Sequence, residues 1–426
     1  MRKISLIILA AIALTFSSCR KTPDYVPYIG ETSSLAYSTY AEQFDVLWNN
    51  INTGYVFWDV DETDWDAVYE KYMPQFEALD LRIAAGNGVS TKELQALYDE
   101  VMGGLRDHHM SIQVRNLYSN GWDNVVNVNP ANNEIKTRDY YYKEGHTLFS
   151  ELNQFNKNLA AGSNSSYKIS FSGYEKVNTE DVQVTICYLL FELPDGRLVP
   201  YLWQNGYQMS VVMSGLNNTS SPYYKAAQLI DKWKNAAIKT PKNKLAGVIL
   251  DNRCNNGGYL SDLNHVVSPF IKKDHAVIST RYKEGPGRLE HSVWSPVTIA
   301  PSTTNRDLAL ENIPYVVLSN IYSISMGEIT TYNISQLPTG YVIGERTYGA
   351  TGPLLSNDNI DFTYGGPFGD KEREKHYVYT STYEIQTHEG FVPEGVGFTP
   401  DQEVLTRDAG IKGQLDAALE YIKNYK

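Results

Sequence analysis

The chain has few cysteines, 3 in 426 residues, and one of them, Cys19, lies in an N-terminal segment of unusual character. Cys187 and Cys254 remain, enough for one disulfide but too few for a disulfide framework. Basic charge is also in deficit. Lys and Arg number 37 against 49 Asp and Glu, a net charge of −12 that no basic cluster offsets. A phosphate backbone would be repelled, so a nucleic-acid partner is excluded. No HExxH helix occurs, and no second His/Asp/Glu cluster stands at ligand spacing, so neither a metal nor another cofactor is expected. Internal repeats and low-complexity tracts are missing too. What is there is an ordinary folding composition, 42% hydrophobic and 20% charged, long enough for two or three domains. The 32 tyrosines suit a β-rich surface in extracytoplasmic or carbohydrate-rich surroundings.

The first residues read as an address. Arg2 and Lys3 precede an apolar run, Ile4 to Ala13, too short for a permanent bilayer helix and flanked like an export signal. Phe16-Ser17-Ser18-Cys19 resembles a bacterial lipobox, which predicts a lipoprotein signal at 1–18, lipidation of Cys19 and a polar tether over 19–36. The membrane is then reached through a lipid anchor, and the expected location is the bacterial envelope, in the periplasm or on the outer-membrane surface.

From residue 37 to 110 the pattern is helical. Phe44, Leu47, Trp48 and Ile51 share one face, Asp61 to Asp64 supply caps for a helix from Trp65, and Thr91 caps a third. Residues 111–220 look β-rich and irregular. Val182 to Ile186 alternates, and Pro200 to Trp203 before Asn205-Gly206 predicts a hairpin. This middle region is read as a divergent PDZ-like or substrate-binding part, although no Gly-rich carboxylate-binding loop is evident in it. From 221 to 426 helix and strand alternate, the rhythm of α/β architecture with a largely parallel sheet, α+β over the whole chain.

Three stretches carry chemistry. Pro314 to Gly352 opens with a β-branched strand, Tyr315 to Leu318, and places Ser325 where a helix begins at Met326-Gly327-Glu328. A hydroxyl at such a corner is exposed, and the helix N-terminus behind it favours a nearby oxyanion, as acyl transfer requires; a plain helix cap is the alternative. A second strand ends in Asp251 and turns through Gly257-Gly258, where backbone N–H groups can approach a ligand oxygen. The third stretch is Leu105-Arg106-Asp107-His108-His109, readable as a metal site, a phosphoesterase-like pair, or a general base with its orienting neighbour.

Together these segments resemble the C-terminal processing peptidases, or tail-specific proteases, whose relatives include tricorn protease. The likeness runs over about 40–110 and 240–425. It rests on Asp251-x-Arg253-x-Asn255-x-Gly257-Gly258, on Ser323-x-Ser325-x-x-Glu328 followed by Gly344-Glu345-x-Thr347-Tyr348-Gly349, and on Gly395-Val396-Gly397-x-x-Pro400-Asp401. The resemblance implies a ClpP/crotonase-like protease core and a serine endopeptidase acting on polypeptides. It departs at the base. The lysine of the Ser-Lys dyad branch would fall at Ala350, and no lysine lies between Lys283 and Lys371. The tricorn-like Ser-His branch fits better and implies Ser325 as nucleophile, His109 as base and Glu394 as the acid. Its oxyanion donors would be the N–H groups of Met326 and of Gly257 or Gly258. The opposing expectation is a non-catalytic peptide- or ligand-binding lipoprotein that keeps the fold.

Overall fold

The computed structural model describes residues 38–119, 124–163, 166–302, 312–354, 363–369 and 376–425. The export signal, Cys19 and the tether lie outside those residues.

Three helices form as their periodicity dictates. Helix α1 (Tyr40–Gly54) is capped by Thr39 and buries Phe44, Leu47 and Ile51. Helix α2 (Trp65–Ala84) starts at the Asp64 cap, and α3 (Thr91–Met102) is capped by Ser90, one residue before the expected Thr91. Both serine and threonine cap well, so the one-residue shift follows from which hydroxyl reaches the Glu93 N–H. Aromatic stacking fills the space between them, Phe44 on Phe76 at 4.5 Å between centroids. Each such ring buries apolar area worth about 2 kcal/mol, so the helices hold by packing rather than by propensity.

Strands β1 (Ser111–Arg115) and β2 (Val125–Val128) follow, then helices α4 (Ala131–Thr137) and α5 (Gly145–Ala160). Next come β3 (Ile169–Asn178), β4 (Gln183–Glu192), β5 (Leu198–Gln204), α6 (Tyr224–Lys239) and β6 (Val248–Asp251). After them lie β7 (His275–Tyr282), β8 (Ser295–Ile299), β9 (Tyr315–Ser319), α7 (Met326–Ser335) and β10 (Gly340–Gly344). The chain closes with β11 (Phe368–Gly369), β12 (His376–Tyr379), β13 (Tyr383–Gln386), β14 (Gln402–Glu403) and α8 (Thr406–Asn424).

Seven of these strands make one sheet in the order β14-β10-β9-β6-β5-β4-β3. Its central members β5, β6, β9 and β10 run parallel, and β6 and β9 are buried along their whole length, which is why they read as unbroken apolar runs. Register puts Asp251 opposite Leu318 and Ser319 opposite Gly344. The carboxyl ends of β6, β9 and β10 therefore open at one edge, where ligands bind in α/β sheets.

Two expectations are corrected here. Residue 220 is no boundary: β3 to β5 belong to the core sheet, with β5 paired directly to β6, so the middle region is not a separate PDZ-like module. Asn205-Gly206 makes no hairpin either. The β4–β5 turn lies at Pro194-Asp195-Gly196, and beyond β5 Tyr207 pairs with the 257–259 turn instead, its N–H donating to Gly257 O at 2.6 Å. Cys187 and Cys254 are buried free thiols; burial pushes both up, Cys254 to about 12. Among the described residues no helix is long and apolar enough to cross a membrane.

Candidate active site

Ser325 precedes α7, whose first nine residues are all buried, while Ser325 itself stays half-buried. An ordinary N-cap has an extended backbone; Ser325 has φ 55° and ψ −118°. For a residue with a Cβ that conformation is strained by roughly 1–3 kcal/mol, and such strain collects at functional sites. The surroundings hold it there. The Ser325 N–H faces both Ala350 O, at 2.9 Å, and Glu328 Oε2, at 3.2 Å. Glu328 also accepts from Thr347 Oγ1, Gly349 N and Ala350 N, so one fully buried carboxylate ties the corner to the irregular segment that leaves β10. Burial pushes that carboxyl up to about 7 against the pull of its donors. Ser323 is buried and hydrogen-bonds Asn252 O, a structural role.

The turn after β6 is built by its own motif. Arg253 pairs with Asp251 in the interior and reaches Ile411 O and Gln414 Oε1, fixing the turn to α8. Asn255 Oδ1 accepts the Gly257 N–H at 2.9 Å, so that donor is committed. The N–H groups of Gly258 and Met326 have no acceptor among the described residues. Gly257, at φ 91°, lies directly against the serine: a Cβ there would sit 2.5 Å from Ser325 Cβ and 2.9 Å from its Oγ. Gly257→Ala is therefore expected to lower the rate of fluorophosphonate labelling at least about 100-fold by displacing the hydroxyl, while a cooperative melting transition is retained. Labelling at the wild-type rate would mean that Oγ does not work from this position.

The imidazole arrives from the N-terminal helices. A ring nitrogen of His109 and one carboxylate oxygen each from Asp107 and Glu394 lie within 4.8 Å of one another. The His109 Nδ1 is buried without a partner, although the residue keeps partial exposure, and burial lowers its pKa. Both carboxylates are fully buried. Glu394 accepts from His108 N, Thr351 N, Thr351 Oγ1 and Gly352 N; Asp107 accepts from His109 N, Thr380 Oγ1, Ser381 N and Ser381 Oγ. Burial, then the Asp107 charge, raises the Glu394 carboxyl well above the usual range. Ser325 and Glu394 thus grip one short segment, Ala350 to Gly352, from opposite ends.

His108 does not join this group. Its Nδ1 meets Tyr348 O at 3.2 Å, its ring packs edge-on against Tyr348, and burial with nearby Arg138 lowers its pKa to about 4, so it is neutral. Ala350 occupies the expected lysine position and is buried. Asp107 was visible in the sequence only as a neighbour of the histidines; its spacing two residues before His109 was the available signal. As for metals, eight donors already occupy the Asp107 and Glu394 carboxylates. A second cluster, Asp59, His291 and Glu384, has its two acids bridged by the Arg281 guanidinium.

Residues 218–404 match the model of peptidase family S41, and residues 37–83 that of the tricorn protease C1 domain. No curated protein matches the chain. Among solved structures it is similar to a protein from Parabacteroides merdae ATCC 43184 described as a peptidase, at 18% identity over 91% of this chain and 97% of that one, with a TM-score of 0.56. It is also similar to mature CPAF complexed with lactacystin, at 13% identity over 90% of this chain and 97% of that one, TM-score 0.53. At such identities the likeness is one of fold.

Proposed function

Since the chain belongs to peptidase family S41 and is a serine peptidase, we propose that it is an endopeptidase that cuts polypeptides through an acyl-enzyme on Ser325 with His109 as base. The observation that carries this reading is the strained Ser325 corner, set against Gly257 beside two uncommitted N–H groups. In the first step Oγ attacks the scissile carbonyl carbon and its proton passes to a ring nitrogen of His109. The Gly258 and Met326 N–H groups take up the oxyanion, a contribution of several kcal/mol in such sites. The imidazolium gives its proton to the leaving amine, and water repeats the cycle to free Ser325. Glu394 and Asp107 flank the ring, in the place from which a carboxylate steadies an imidazolium and orients it. Fluorophosphonate labelling tests the reading: it should vanish in Ser325→Ala and in His109→Ala, and labelling that survives either change would refute the corresponding role.

The anchor is part of the same proposal. The lipobox places the enzyme on a membrane by acylation of Cys19. Cys19→Ser is expected to move the protein from the membrane fraction to the soluble one, and unchanged fractionation would refute lipidation at that residue.

A further inference from the structure

A buried guanidinium from the middle region reaches both loops of the candidate site. Arg138 follows α4 and is 7% exposed. Its Nη1 donates to Thr347 O at 3.1 Å and to Tyr348 O at 2.7 Å, and its Nη2 donates to Gly395 O at 3.2 Å. Its Nε is held by Glu134 at 2.8 Å, from the same turn of chain. The two sets of carbonyls belong to segments far apart in sequence. Thr347 and Tyr348 lead into Gly349 and Ala350, whose N–H groups bind Glu328 and whose Ala350 O holds the Ser325 N–H. Gly395 directly follows Glu394, the acid beside His109.

We propose that Arg138 is a positioning residue that sets the distance between the serine loop and the acid loop. This rests on the assignment of Ser325 and His109 given above. Three carbonyl oxygens converging on one buried cation would repel one another without it, and those of Thr347 and Gly395 would lose their donor in a site where water has little access. The preceding peptide, which joins Glu394 to Gly395, is held by a second arginine, since Arg106 Nε donates to Glu394 O at 2.7 Å. Direct bonds already link the loops: Gly395 N to Gly349 O at 2.7 Å, Thr347 N to Phe398 O at 3.1 Å, and Thr351 N and Gly352 N to the Glu394 carboxylate. All of these run between the loops themselves; the planar fork of Arg138 adds a brace from outside that contacts both at once and fixes their spacing. Lysine would not substitute, because an ammonium point charge cannot span three acceptors in the geometry of a guanidinium.

The test uses the whole mature chain and a fluorophosphonate probe, with the inactivation rate separated from probe affinity. Arg138→Ala is expected to lower the limiting inactivation rate about 100-fold while probe affinity stays within about twofold, since the hydroxyl remains reachable but its base is misplaced. Millimolar methylguanidinium should restore much of the rate by refilling the vacated space, a response that loss of folded protein alone would not give. If Arg138→Ala does not fold, Arg138→Lys carries the test: a slow rate in a cooperatively melting protein supports the role. The wild-type inactivation rate in a folded Arg138 variant overturns the inference and leaves the Ser325 assignment standing. Wild-type labelling that persists in Ser325→Ala overturns that assignment and, with it, the role given to Arg138.

Discussion

Ser325→Ala is expected to lower peptide-bond hydrolysis by roughly 10⁵-fold or more, leaving only what the oxyanion donors and substrate binding supply without a nucleophile. The loss should fall almost wholly on turnover, because substrate contacts away from the serine are intact. Stability should change little or rise slightly. Ser325 holds φ 55°, and alanine is strained there in the same way, but the helix is fixed by Glu328 accepting the residue 325 N–H, a bond the substitution keeps. A cap whose hydroxyl only held the helix would give the reverse pattern, a drop of about 1 kcal/mol in stability with activity retained. The two readings of this residue are therefore separated by one variant measured in two ways, activity and melting.

The second large effect concerns His109. His109→Ala is expected to cost about 10⁴-fold in turnover, since the serine proton then has no acceptor of suitable basicity. The wild-type pH profile carries a sign that the structure fixes. Burial lowers the His109 pKa below its ordinary 6.5. Only the neutral ring can accept a proton, so acylation should rise with pH, reach half its maximum below 6.5, and be flat by neutrality. A solvent-exposed histidine would give a midpoint near 6.5, and a lysine base one well above it. The limb should disappear in His109→Ala, whose residual rate would depend only on hydroxide. The same limb surviving that substitution would assign the base to another group.

Much of the architecture was legible because parallel strands buried on both faces leave an unmistakable trace: Val248 to Asp251 and Tyr315 to Ser319 are apolar almost throughout and end in polar turns. The helices before residue 110 were equally plain, their inward faces following the helical period. Long-range pairing was not. β3 is largely half-exposed, so nothing in it announces that β4 and β5 extend the central sheet, and Asn205-Gly206 offered a hairpin signal that Tyr207 overrides by pairing across the chain. The final helix follows its amphipathic pattern from about Lys412, since Gly410, at φ 69° and ψ 174°, separates it from a short helical turn that begins at Thr406.

The site was legible where chemistry needs a residue type and illegible where it needs only geometry. Ser325, His109, Glu394 and the two glycines stand in motifs, and the structure brings the serine and the acid onto one loop. That Gly257 spends its N–H on Asn255 depends on the conformation of the turn, not on composition. A positive φ at a serine has no sequence mark at all, since glycine is the residue that usually signals it. Arg138 is further removed: its three acceptors are backbone carbonyls more than 200 positions away, and carbonyls have no residue identity.

The most direct test of the Ser325–His109 site is to digest fluorophosphonate-treated protein and locate the adduct by mass spectrometry, in wild type and in His109→Ala. The adduct is expected on Ser325 in the wild type and nowhere in the variant. An adduct on Ser323 or on a serine away from the 325 corner, or one formed equally well without His109, would contradict it.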